Sequence, residues 1–198
     1  MKKFDEIERE VSAFLENAGT RMTQWCVVTG APSSGKTSLI TELAKEGYRF
    51  SRDISREYIE SQIESGISKY EVRESEEVLQ HRIFLLMMKE AMQLPCVEVI
   101  FHDYALPDNI AFMKMAGIRV DRKVLRSAEV FRYDKVFLLE RLKVDEDHVR
   151  TEDEKFQKVI TIALRQVYTE IGYDIIDVPA ISVEDRLKLV LSVLRNRG

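Results

Sequence analysis

The chain has 198 residues, 45% apolar and 32% charged, enough for one α/β domain with a sizeable core. Its 34 acidic against 30 basic residues leave a net charge of −4, which disfavours nucleic acid as the main partner but allows a local basic pocket for phosphates. The first ten residues carry acids and no apolar core, so no signal peptide is expected, and no apolar run approaches the roughly 20 residues of a membrane span.

Residues 3–18 place Phe4, Ile7, Val11, Phe14 and Leu15 on one face, predicting an amphipathic helix that packs on a sheet edge or docks a partner. Trp25-Cys26-Val27-Val28-Thr29 is a short apolar run of β-formers and reads as the first core strand. It leads straight into Gly30-Ala31-Pro32-Ser33-Ser34-Gly35-Lys36-Thr37, which fills every fixed position of the phosphate-binding pattern G-x-x-x-x-G-K-[ST]. Leu39, Ile40, Leu43 and Ala44 then fall at helical spacing, and Gly47 stops that helix. A strand before and a helix after are the context this motif requires.

Residues 47–51 read as a second strand and 54–64 as a helix; 76–94 form a long helix, apolar almost all round from Ile83 to Met88 and broken by Pro95. Val97 to Asp103 is the third strand, followed by helical segments at about 108–116 and 121–131, and Lys135 to Glu140 is the fourth strand. Thr151-Glu152-Asp153-Glu154 is a capping box opening a helix with Phe156, Val159, Ile160, Ala163, Leu164, Val167 and Tyr168 on one stripe. Gly172 ends it, Tyr173 to Val178 is the fifth strand, and Ser182 caps a last helix. Cys26 and Cys96 sit in or beside apolar strands and read as reduced packing residues of a cytoplasmic protein. His81, His102 and His148 lack metal-ligand spacing.

Five short apolar strands alternating with helices predict a doubly wound α/β fold, a three-layer αβα sandwich on a mostly parallel five-stranded sheet. Residues 1–198 read as one domain, with 1–20 as an N-terminal helix and about 141–151 as a lid loop. In such folds ligands bind at the carboxyl ends of the strands, so the polar residues there are the candidates. Gly30 to Ser38, through Ala31, Pro32, Ser33, Ser34, Gly35, Lys36 and Thr37, would hold the phosphates of ATP, with GTP also compatible. Lys36 reaches the β- and γ-phosphates and the Thr37 hydroxyl ligates Mg²⁺. Asp103, ending an apolar strand beside the phosphate loop, is the second metal candidate. Asp53 ends the second strand and suits two roles equally, a base for an acceptor hydroxyl and a helix N-cap. Arg141 and Arg150 flank the lid and are candidates to close over a transferring phosphoryl group.

These blocks resemble the P-loop ATPase/kinase family that includes the nicotinamide-riboside kinase domain of the bacterial NAD-biosynthesis regulator, with deoxynucleoside kinases as more distant relatives. Besides the loop, the likeness rests on Asp53-Ile54-Ser55-Arg56-Glu57-Tyr58, on Phe101-His102-Asp103-Tyr104-Ala105-Leu106-Pro107-Asp108, and on Phe137 to Glu140 followed by Val149-Arg150-Thr151-Glu152-Asp153. The resemblance implies an acceptor side lined by Arg56, Glu57, Tyr104 and Asp108, and a lid arginine at Arg150. Two departures stand out: Asp53 replaces a commoner Glu, and Tyr104 replaces a common Arg.

The expected activity is Mg²⁺-dependent phosphoryl transfer from ATP to a small hydroxyl-bearing acceptor of nucleoside or riboside type. The alternative is a slow ATPase or GTPase acting as a nucleotide-dependent switch with a protein partner; no guanine-specificity motif is evident. Oligomeric state stays open.

Overall fold

The computed structural model describes residues 2–68, 75–142 and 151–195. The chain runs α1 (Lys2–Asn17), β1 (Arg21–Met22), β2 (Cys26–Thr29), α2 (Lys36–Lys45), β3 (Arg49–Phe50), α3 (Ile54–Glu64), α4 (Glu76–Ala91), β4 (Ile100–Asp103), α5 (Leu106–Met115), α6 (Arg122–Val130), β5 (Phe131–Arg132), β6 (Lys135–Leu139), α7 (Thr151–Glu170), β7 (Ile175–Val178) and α8 (Val183–Arg195).

Five strands form one parallel sheet in the order β3-β4-β2-β6-β7. Every residue of β2 is buried, and Cys26 lies level with Phe101 on one neighbour and Lys135 on the other. Side chains alternate across the sheet. Val27, Ile100, Val136 and Leu138 enter the larger core with side chains of α1, α4, α5, α6 and α7, whereas Cys26, Val28, Phe101, Phe137 and Leu139 face α2 and α8. This is the expected αβα sandwich. The chain leaves β2 toward β3 and β4 on one side and later reaches β6 on the other, so β2 ends at the switch point where such folds bind ligands.

Several local features differ from the sequence pattern. α1 packs over α4 and α6, with Phe14 stacked on Phe131 at 5.8 Å, rather than on a sheet edge. β1 and β5 make a separate two-stranded parallel pair, Arg21 with Phe131 and Met22 with Arg132, that no alternation pattern announced. β3 has only two residues, and β4 starts at Ile100 because Val97 is 81% exposed. α4 ends at Ala91, before Pro95. α5 starts at Leu106, with Pro107 tolerated in a first turn whose N–H groups have no intrahelical partner. Along α7, Ile160, Leu164, Val167 and Tyr168 are buried, but Phe156 and Val159 are exposed, so the apolar stripe is wider than the surface that covers it. The capping-box side chains of residues 151–154, and residues 143–150 of the expected lid, lie outside the described residues. Cys26 is buried, Cys96 is half-buried, and no disulfide joins them. Among the described residues no helix is long and apolar enough to cross a membrane.

Candidate active site

The loop between β2 and α2 has the backbone that its glycines predict. Gly30 (φ 149°), Ser33 (φ 62°) and Gly35 (φ 87°) all have positive φ. A Cβ at Gly30 would stand 2.9 Å from both the Leu139 carbonyl oxygen and Ser34 Oγ, so the turn closes only without a side chain. Ser33 takes the left-handed conformation without being glycine, a sign of backbone held for a purpose. Left-handed residues in such a run turn successive N–H groups inward as an anion-binding nest, and the N-terminus of α2 adds its dipole. Pro32, Ser33, Thr37 and Ser38 are exposed on this loop and first helical turn, while Ala31 and Ser34 are buried beneath them.

Lys36 is held against its own loop. Its Nζ donates to the carbonyls of Gly30 at 2.8 Å and Ala31 at 3.0 Å. Burial lowers its pKa, and the charges of Asp103, Asp108 and Asp53 oppose that shift. Burial likewise pushes Asp103 up to about 6; Lys36 pulls it down, and Asp53 and Asp108 push it further up. The Lys36 ammonium thus stands in the field of two carboxylates at the strand ends, Asp53 and Asp103, with Asp108 buried beneath them. That local excess of negative charge, on hard oxygen donors beside the exposed Thr37 hydroxyl, fits a Mg²⁺ ion, which prefers one or two carboxylates completed by phosphate and water. Among the described residues no group of three or more His, Cys, Asp or Glu forms a protein-only metal cage.

The remaining expected residues fall in different places. Asp53 is the N-cap of α3, accepting the Arg56 N–H at 3.0 Å, while its charge also reaches Lys36 and Asp103. Arg56 is exposed, with Nε 3.3 Å from Glu60 along α3, and its charge acts on Asp103. Glu57 is paired with Arg52, whose Nε lies 3.0 Å from Oε1 and whose Nη2 bonds Oε2. Tyr104 follows Asp103 at φ 81°, half-buried, with its ring 5.6 Å from that of Phe112. Arg141 is half-buried just after β6, and Arg150 lies outside the described residues.

Asp108 departs most from its expected place on the acceptor side. It is 3% exposed, and its carboxylate accepts from the Thr29 hydroxyl, the Tyr168 hydroxyl at 2.5 Å and the Ala105 N–H at 2.9 Å. Burial raises its pKa against the pull of these three donors. Its surroundings are the protein's own, so it braces the site from below: Thr29 is the last residue before the phosphate loop, and Tyr168 belongs to α7.

One residue at the site gave no signal in the sequence. Arg186, in the first turn of α8, is 2% exposed. Its Nε donates to the Pro179 carbonyl at 2.9 Å, its Nη2 to the Glu140 carbonyl at 2.9 Å, and its Nη1 to the carbonyl of Ser34 in the phosphate loop. Its acceptors are main-chain atoms, which side-chain patterns do not reveal.

A family model described as an AAA domain matches residues 25–186, from the strand before the phosphate loop to this arginine. No curated protein matches the sequence. Among solved structures the chain is similar to a deoxyadenosine kinase from M. mycoides, at TM-score 0.57 and 18% identity, covering 86% of this chain and 98% of that one. It is also similar to a thymidylate kinase from Candida albicans, at TM-score 0.61 and 14% identity, covering 89% of this chain and 93% of that one. A thymidylate kinase from Ehrlichia chaffeensis gives TM-score 0.55 at 14% identity, covering 87% of this chain and 99% of that one. These likenesses establish a shared nucleotide-kinase-like fold. With a family match spanning well over half its length, the chain belongs to the AAA domain family, built on the P-loop NTPase fold.

Proposed function

We propose that this protein is a Mg²⁺-dependent phosphotransferase that moves the γ-phosphoryl group of ATP, or GTP, to a hydroxyl of a small nucleoside- or riboside-type acceptor in the cytoplasm. The observation that carries the reading is the placement of Asp53 and Asp103, at the ends of neighbouring strands, in the field of the phosphate-loop lysine. Hydrolysis needs the loop and one metal acid. A second carboxylate one strand further out is what an incoming hydroxyl requires.

In this reading Gly30 to Ser38 cradle the phosphates and Lys36 leaves its own loop carbonyls to neutralise the β- and γ-oxygens. Thr37 and Asp103 would hold the Mg²⁺, which when bound supplies charge neutralisation on the same oxygens. Asp53 orients the acceptor hydroxyl and takes its proton as the new P–O bond forms and the nucleoside diphosphate leaves. Its capping bond to Arg56 uses one of about four lone-pair positions on the carboxylate, so the cap does not consume the base. Arg56, whose charge acts on Asp103, would line the acceptor side, and Arg141 and Arg150 would be the lid cations.

A second reading, a slow NTPase switch, is favoured by one feature: Tyr104 stands where the resembling kinases commonly carry an arginine, and Glu57 is already engaged by Arg52. NTP turnover with Mg²⁺ against a panel of nucleosides, ribosides and other small alcohols, with Lys36→Ala as the blank, decides between them. A large acceptor-dependent stimulation with a phosphorylated product by mass supports the kinase. Tight nucleotide binding with slow, acceptor-independent hydrolysis overturns it in favour of the switch.

A further inference from the structure

We infer that Arg186 is a positioning residue for nucleotide binding, tying the phosphate loop, the chain just after β6 and the loop after β7 into one register while presenting a buried positive charge behind the bound phosphates. The inference rests on the phosphate-loop reading above but concerns a residue outside every motif of the sequence.

Three observations converge. First, the guanidinium spans the chain: its three nitrogens bond Pro179, Glu140 and Ser34, which stand 7, 46 and 152 residues away. Those carbonyls lie respectively just after β7, just after β6 and inside the phosphate loop. A planar fork reaches three separated acceptors from three nitrogens in a fixed geometry; a lysine ammonium has its three donors on one atom at the end of a flexible stem.

Second, among the described residues the cation is buried without a carboxylate hydrogen-bonded to it. All three acceptors are neutral carbonyls, and Glu140, whose charge acts on it, directs its own Oε2 at the Ala180 N–H at 3.3 Å. Burial lowers the Arg186 pKa, yet a guanidinium keeps its proton in proteins. Buried charges are ordinarily paired. A cation whose hydrogen-bond acceptors among the described residues are all carbonyls, behind a loop that gathers N–H groups toward an anion, gains further compensation from that anion.

Third, the contact is close. A Cβ placed on Gly35 would lie 3.0 Å from Arg186 Nη1 and 3.3 Å from Leu142 Cδ1. The arginine and Leu142 therefore press on the same point of the loop. By engaging the Ser34 carbonyl from behind, Arg186 fixes the peptide whose N–H side belongs to the phosphate nest.

The test measures binding of Mg·ATP and of Mg·tripolyphosphate, an anion with no base, by titration calorimetry on the full chain. Wild type, Arg186→Met, Arg186→Lys and Lys36→Ala are compared, with thermal unfolding run on each. Arg186→Met removes charge-assisted hydrogen bonds and the charge together, so both ligands should bind about tenfold more weakly or worse. Arg186→Lys keeps the charge but not the fork, and should recover part of the tripolyphosphate affinity while remaining several-fold weaker than wild type. A folded Arg186→Met with wild-type affinity for both ligands overturns the inference and leaves the phosphate-loop reading intact. Complete recovery in Arg186→Lys overturns the role of the fork. If Arg186→Met does not fold, the lysine variant alone decides, since it must fold yet bind more weakly. Wild type that binds neither ligand, indistinguishable from Lys36→Ala, overturns both readings.

Discussion

Tyr168→Phe removes one oxygen from the core and nothing else. The phenol donates to Asp108 at 2.5 Å, both residues are almost wholly buried, and the ring keeps its edge contact with Tyr173 at 5.7 Å between centroids. A hydrogen bond to a charged acceptor contributes about 1.5–3 kcal/mol. For a chain of this length each kcal/mol moves Tm by about 2–4 °C, so the variant should melt about 3–12 °C lower. The loss should also depend on pH, with a definite sign. Burial raises the Asp108 pKa above its ordinary value and the tyrosine pulls it back, so the tyrosine's contribution is present when Asp108 is ionised. It should therefore fade as pH falls through the folded-state pKa, which lies above the ordinary aspartate value of 3.8. Urea unfolding at pH 7 and at low pH measures both effects. A loss below about 0.5 kcal/mol at pH 7, or one that grows on acidification, would refute the view that an ionised, three-donor carboxylate braces the phosphate loop.

Other changes test other parts of the molecule. Gly30→Ala combines a positive φ with two contacts at 2.9 Å, one of them backbone, and should cost about 2 kcal/mol or more in urea unfolding and weaken ATP binding at least tenfold by calorimetry. Asp53→Asn should lower acceptor-dependent turnover by about 10²–10⁴ while leaving ATP affinity within a few-fold, as read from steady-state kinetics beside direct binding. His102 is buried between Trp25 and Tyr133, and burial pushes its pKa down to about 3. The unfolded chain therefore takes up a proton below about pH 6.5 that the folded chain refuses, and stability should fall by about 1.4 kcal/mol per pH unit from there toward pH 3. His102→Phe should flatten that part of the stability–pH curve by one proton.

The parts of the site that were legible in the sequence are those built from neighbours in the chain. The loop from Gly30 to Thr37 and the acid ending β4 each declare themselves within a dozen residues, because strand, turn and helix follow one another directly there. Asp53 was legible as two possibilities; the fold shows the N-cap, and the base role is the one proposed above. Asp108 was misleading because an acid in the first turn of a helix ordinarily faces water and the dipole, whereas this one turns inward to Thr29 and Tyr168. Arg186 was silent because its partners are carbonyls up to 152 residues distant. The α7 stripe was over-read at Phe156 and Val159 for a related reason: periodicity gives the direction of an apolar face, but its covered width depends on where the neighbouring helix lies.

The placement of β2 has a consequence for how the molecule comes into being. This strand is synthesised before both of its neighbours: β4 and β6 lie about 75 and 109 residues later in register, as Cys26 with Phe101 and Cys26 with Lys135 show. The Ser34 carbonyl waits longer still, until α8 delivers Arg186. Long-range pairing of this kind is slow, and an apolar strand without neighbours is prone to join the wrong partner. A growing chain therefore carries this fully apolar-packed strand unpaired until β4 and β6 are made, and completes the bracing of its phosphate loop only after both. Nucleotide is then a ligand of the completed fold, able to pull the final closure forward by mass action but unable to seed it.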